Sequence, residues 1–188
     1  VVVGGQSGSL AGAFSYFAPT VSSIDPASLA TTGGSVSVVG SGFGPGAVTP
    51  DVQVGSSAAS QVVVVSDSVL TAHVGAGIGT SHSVSVTVAS QDGSLADAFS
   101  YMAPTVQSVV PGSGATTGAA VTVLGSNFGP AGTSAQTTIG STAGGNVQVV
   151  SHSVMTVSVG AGVGAGHDVA VVVGGQSGSL AGAFSYFA

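Results

Sequence analysis

The chain has 188 residues with no lysine, arginine or cysteine; its six acidic residues and four histidines give a formal net charge of −6. Without basic side chains it cannot neutralise phosphates, which excludes nucleic-acid binding and an electrostatic hold on anionic membranes. Mean hydropathy is high at +0.64, yet the longest aliphatic runs, residues 62–65 and 169–173, fall far short of the ~20 residues of a membrane-spanning helix.

The first eighteen residues, Val1–Ala18, return letter for letter as Val171–Ala188, a period of 170 residues. A shift of half that length lays Pro19–Ala103 over Pro104–Ala188 without a gap, with 46 of 85 positions identical. Such internal similarity sets the structural unit. Three segments follow: residues 1–18 as the C-terminal hairpin of a preceding repeat, residues 19–103 as domain A and residues 104–188 as domain B.

Within each copy valine dominates, glycine punctuates and helix formers are scarce, so the elements read as strands. In chain order, period-two alternation predicts strands over 35–39, 61–65, 69–74, 83–88 and 96–101 of domain A. Their counterparts are 120–124, 146–150, 154–159, 168–173 and 181–187. Glycine-rich turns such as Gly40-Ser41-Gly42 and Gly75-Ala76-Gly77 separate them. About seven short strands in 85 residues is the pattern of an immunoglobulin-like β-sandwich. The two copies differ at nine consecutive positions, 46–54 against 131–139. That stretch reads as a variable surface loop, or as a segment making non-equivalent lateral contacts.

Three motifs recur in order. Each copy opens with Pro19-Thr20-Val21 or Pro104-Thr105-Val106. A strand then runs into Gly40-Ser41-Gly42-Phe43-Gly44 or Gly125-Ser126-Asn127-Phe128-Gly129. The copies close with Ala98-Phe99-Ser100-Tyr101 or Ala183-Phe184-Ser185-Tyr186. This pattern resembles the IPT/TIG domain, an immunoglobulin-like module, over nearly the whole chain. The resemblance implies an all-β fold of tandem sandwiches and one of two uses: DNA contact in transcription factors, or stalk and ligand-binding duty in extracellular proteins. The DNA-contacting members rely on basic loop residues that this chain lacks, which leaves the extracellular branch. Phe43 and Phe128 are expected to plug one end of each sandwich. Phe99 with Tyr101, and Phe184 with Tyr186, alternate on the last strand and should share a face.

Candidate chemistry is sparse. His82 and His167 occupy equivalent positions, whereas His73 and His152 do not. His167-Asp168 is adjacent in sequence, which on a strand turns the two side chains to opposite faces. Calcium needs clustered carboxylates, but the aspartates are dispersed, and the nearest pair, Asp92 and Asp97, becomes Ser177 and Gly182 in the second copy. No nucleophile elbow, phosphate loop or paired carboxylate appears. The sequence therefore predicts no catalytic residue, no cofactor and no metal site. It predicts a non-enzymatic structural protein outside the cell: a repeat segment of a fibril that self-associates through repeat–repeat and lateral contacts. A nearly uncharged surface needs burial in an assembly or glycans for solubility. Neither asparagine lies in an N-glycosylation sequon, so glycans would be O-linked. The competing expectation is a stalk or adhesin-type binding module. Ala18-Pro19-Thr20 and Ala103-Pro104-Thr105 are expected to stiffen the joints between domains.

Overall fold

A computed structural model describes residues 1–12, 14–46 and 48–187. All of its regular structure is β. A small hairpin, β1 (Val2–Val3) with β2 (Gln6–Ser7), precedes two β-sandwiches. In domain A, β3 (Thr20–Asp25), β5 (Gly34–Ser41), β9 (Val69–Val74) and β8 (Ser60–Ser66) form a four-stranded sheet in the order β3-β5-β9-β8. Facing it is a five-stranded sheet of order β4-β11-β10-β6-β7. Its members are β4 (Ser28–Leu29), β6 (Asp51–Val54), β7 (Ser57–Ala58), β10 (His82–Val88) and β11 (Gln91–Tyr101).

Domain B repeats this topology strand for strand. One sheet is β12 (Thr105–Val110), β14 (Ala119–Ser126), β18 (Val154–Val159) and β17 (Gly145–Ser151). The other orders β13 (Ser113–Ala115), β20 (Gln176–Phe187), β19 (His167–Val173), β15 (Ala135–Ile139) and β16 (Thr142–Ala143). Among the described residues each domain thus has nine strands. Seven match the expected set in number, and the short β4 and β7, with β13 and β16, add to the sheet edges. β4 pairs with β11 in parallel through Ser28↔Ser100 and Leu29↔Tyr101.

Period-two burial builds each core. In β9, Leu70, Ala72 and Val74 point inward, and in β10 Val84 and Val86 do so. Each fully buried valine or leucine contributes about 1.5–3 kcal/mol. The segment 46–54 is not loop throughout. Its second half is strand β6, with Val52 and Val54 buried; β15 likewise buries Thr137 and Ile139. The copies diverge there because outward positions are free while inward ones trade one β-branched residue for another.

Phe43 and Phe128 are both fully buried. Their rings lie over Gly40 and Gly125, where an added Cβ would come within 2.7 and 2.6 Å of the ring tips and would strike the carbonyls of Thr20 and Thr105. That close approach explains why the strand ends in Gly-Ser-x-Phe-Gly. The Phe amides donate to the carbonyls of Asp67 and His152 at 3.0 Å, which ties this end of the sandwich to the turn after β8 or β17.

Candidate functional site

On the last strand of each domain, Phe99 and Tyr101 stack edge to face at 5.1 Å, as do Phe184 and Tyr186. Tyr101 Oη donates to the Gly75 carbonyl at 2.8 Å and Tyr186 Oη to that of Gly160 at 2.9 Å. Burial pushes the Tyr101 phenol above its ordinary value of 10.0. These rings are structural members of the core, as their alternation implied.

The equivalent histidines do structural work as well. His82 Nε2 donates to the Ile78 carbonyl and His167 Nε2 to the Val163 carbonyl, each at 3.0 Å. Each ring also packs against its tyrosine, at 5.6 Å from Tyr101 and 5.4 Å from Tyr186. Three of the aspartates are separately engaged. Asp67 accepts from the Gly42 and Gly44 amides at 3.3 and 3.1 Å, and Asp92 from Thr87 Oγ1 at 2.6 Å. Asp168 Oδ1 accepts from the Gly182 amide at 2.9 Å. In domain A the corresponding residues are Ser83 and Asp97, so the carboxylate moves to the other strand of the pair. Asp97 and Gly182 share a left-handed backbone, at φ 53° and 62°, which aspartate and glycine both tolerate. Among the described residues no three metal-ligating side chains converge. The exposed aromatic rings are Phe14, Tyr16, Phe17 and Phe187, all in residues 1–18 or at the end of β20.

The concentrated polar chemistry lies at the joint between the domains. Thr31, in the turn before β5, is 1% exposed. Its amide donates to Asn127 Oδ1 at 3.3 Å, and its hydroxyl shares a hydrogen bond with His152 Nδ1 at 2.9 Å. Asn127 Nδ2 in turn donates to the Ala103 carbonyl at 3.1 Å. Gln176 Nε2 reaches back to the Tyr101 carbonyl at 3.0 Å. Ile78 of domain A packs onto the core of domain B. There Gly129 and Gly174 leave the space; a Cβ on either would stand 2.7 Å from Ile78 Cγ2 or from the Gly79 amide nitrogen. Pro104 is buried, and its carbonyl lies so close over Gly178 of β20 that a Cβ there would collide with it. The linker is therefore laid onto the second domain rather than left as a hinge.

The sequence singled out the Ala-Pro-Thr joints but not Thr31, Asn127 or His152. The available signal was correlated change. Gly42 and Asp67 of the first copy become Asn127 and His152 in the second, while Thr31 and Thr116 stay the same.

Tandem immunoglobulin-like sandwiches joined by a built contact define the class of protein. The IPT/TIG domain family model matches residues 19–101 and again 104–186, and the chain belongs to that family. Among solved structures, a surface glycan-binding protein, PbSGBP-B from Prevotella bryantii, is similar in fold. It has 17% identity and a TM-score of 0.55, over 88% of this chain and 42% of that one. The extracellular region of plexin A4 matches 98% of this chain at 20% identity and a TM-score of 0.45. This chain spans about 20% of that plexin chain and 42% of the Prevotella protein. No curated protein sequence matches the chain.

Proposed function

We propose that this chain is a structural repeat segment of an extracellular filament, in which tandem IPT/TIG domains stack through fixed joints. The observation that carries the reading is the contact between domains A and B: four hydrogen bonds and an isoleucine hold one domain on the next. A repeated contact that does not close on itself builds a fibre, and a joint with fixed geometry sets a defined rise and twist from one domain to the next. Composition supports the same view. With charged residues at 3%, against about 25% in ordinary domains, the surface is better suited to an assembly or to a coat of O-linked glycans on its Ser and Thr hydroxyls than to a free monomer.

Self-association is the partnership this reading assigns, with no role for nucleic acid, membrane insertion, cofactor or metal. The coarser form, an extracellular stalk that spaces a distal binding domain, rests on the same stiff joint. Negative-stain electron microscopy of the native material distinguishes the two. Long uniform fibrils support the filament, and short rods ending in a distinct head support the stalk. Dispersed, flexibly linked monomers would defeat both.

A further inference from the structure

We infer that the end of domain B remote from domain A is a docking face for the first domain of a second copy of this chain, and that it forms a joint homologous to the one between A and B. The inference rests on the filament reading and names its second contact. Every part of the A–B joint has an equivalent half a period away. On the donating side, Thr31 and Ile78 correspond to Thr116 and Val163. Thr31 is buried and Ile78 is half-buried against the neighbouring core, whereas Val163 is 76% exposed. On the receiving side, Gly129 is buried under Ile78, whereas space at the equivalent Gly44 is open to beyond 4 Å. His152 is half-buried against Thr31, whereas Asp67 is exposed. Both halves of a second joint are thus present.

The occupant is marked by residues 1–18. Gln91 corresponds to Gln176, and Gln91 Nε2 donates to the Tyr16 carbonyl at 3.0 Å, just as Gln176 donates to that of Tyr101. Val1–Ala18 is identical to Val171–Ala188, so the segment already seated on the receiving face of domain A has the sequence of the last strand of domain B. Tyr16 therefore stands where Tyr186 of a docked second domain belongs. Phe14 and Tyr16 keep the 5.1 Å edge-to-face pairing of Phe184 and Tyr186.

The substitutions across the two joints are complementary. Ile78 facing Gly174 becomes Val163 facing Ala89, moving one carbon from one side to the other. Asn127 and His152 facing Thr31 become Gly42 and Asp67 facing Thr116. A hydroxyl that shares a hydrogen bond with an imidazole in one joint would donate to a carboxylate in the other. The two joints are alike in frame and different in chemistry, which makes the 170-residue pair, rather than the single domain, the repeating unit.

The chain has no cysteine, so cross-linking gives a clean test. In the A–B joint a Cβ on Gly174 would stand 3.1 Å from Ile78 Cβ. The added Ala89 methyl opens the second joint toward the ~3.8 Å Cβ separation a disulfide prefers. A Val163→Cys chain is mixed under mild oxidation with an Ala89→Cys chain lacking residues 1–17, the exposed segment that would otherwise take the path of the docked strand. Docking raises the local thiol concentration, so the mixed dimer should exceed that of Val163→Cys with Val65→Cys, an exposed position on the lateral strand β8, by about tenfold or more. Yields equal to the Val65 control would overturn the docking face. Fibrils imaged alongside equal yields would leave the filament reading standing with a different contact.

Discussion

Replacing Thr31 with valine removes one hydroxyl from the A–B joint at almost constant shape. The site is 1% exposed, so no water fills in for the lost group. The Thr31 Oγ1–His152 Nδ1 bond at 2.9 Å disappears, while the Thr31 amide keeps Asn127. An ordinary hydrogen bond contributes about 0.5–1.5 kcal/mol, and leaving its partner half-buried and unpaired adds to that, so Thr31→Val should cost about 1–2 kcal/mol of coupling between the domains. The assay is a double-mutant cycle with His152→Ala, read from urea unfolding followed by circular dichroism. If the joint couples the domains, Thr31→Val and His152→Ala are non-additive by about 1 kcal/mol, and the variants show two separated transitions where the parent shows one. Additivity within about 0.3 kcal/mol, or no change in the transition, would refute a load-sharing joint at Thr31.

Other outcomes follow from the same geometry. Gly40→Ala or Gly125→Ala should abolish stable folding of its domain, because the methyl would meet a Thr carbonyl and the buried Phe ring. Gly75→Ala, with open space around it, should change the melting temperature little. Phe128→Ala should destabilise domain B by about 3–5 kcal/mol by opening a cavity, measured by chemical denaturation. Exchanging the carboxylate in domain A by Ser83→Asp with Asp97→Gly should be neutral within about 0.5 kcal/mol, because it reproduces the Asp168–Gly182 arrangement of domain B. A large loss would show that the two arrangements are not equivalent. The Tyr101 phenol is held above its ordinary value of 10.0 by burial, so the unfolded chain gives up this proton first. The stability it contributes is whole below pH ~10 and is lost as the pH rises through the folded-state value. Unfolding midpoints taken across that range should fall more steeply for the parent than for Tyr101→Phe.

The strands legible in the sequence were those with alternating valines and a turn at each end. Strand β9, Val-Leu-Thr-Ala-His-Val, buries every second residue, and its alternation was plain. Strand β6 was hidden because its copies share no residue between positions 51 and 54, although both bury the same two positions. Residue identity was the wrong measure there; inward character was the right one. Strands β4 and β7 are too short to carry any period, and parallel pairing to β11 holds β4 in place. The aromatic plugs were readable because Phe beside paired glycines has one steric explanation. The joint was not, because Thr31 and His152 stand 121 residues apart and neither is unusual in its local sequence. Only the coordinated change of Gly42 with Asp67 into Asn127 with His152 carries a trace of it.

Under the proposed function these domains stack into a regular fibre whose unit is the pair. Electron microscopy of the native assembly with helical averaging measures this directly. Long uniform fibrils are expected, in which successive domains alternate between two joint geometries, so that the axial repeat spans two domains. Free monomers, or fibrils that repeat domain by domain with one joint geometry, would contradict it.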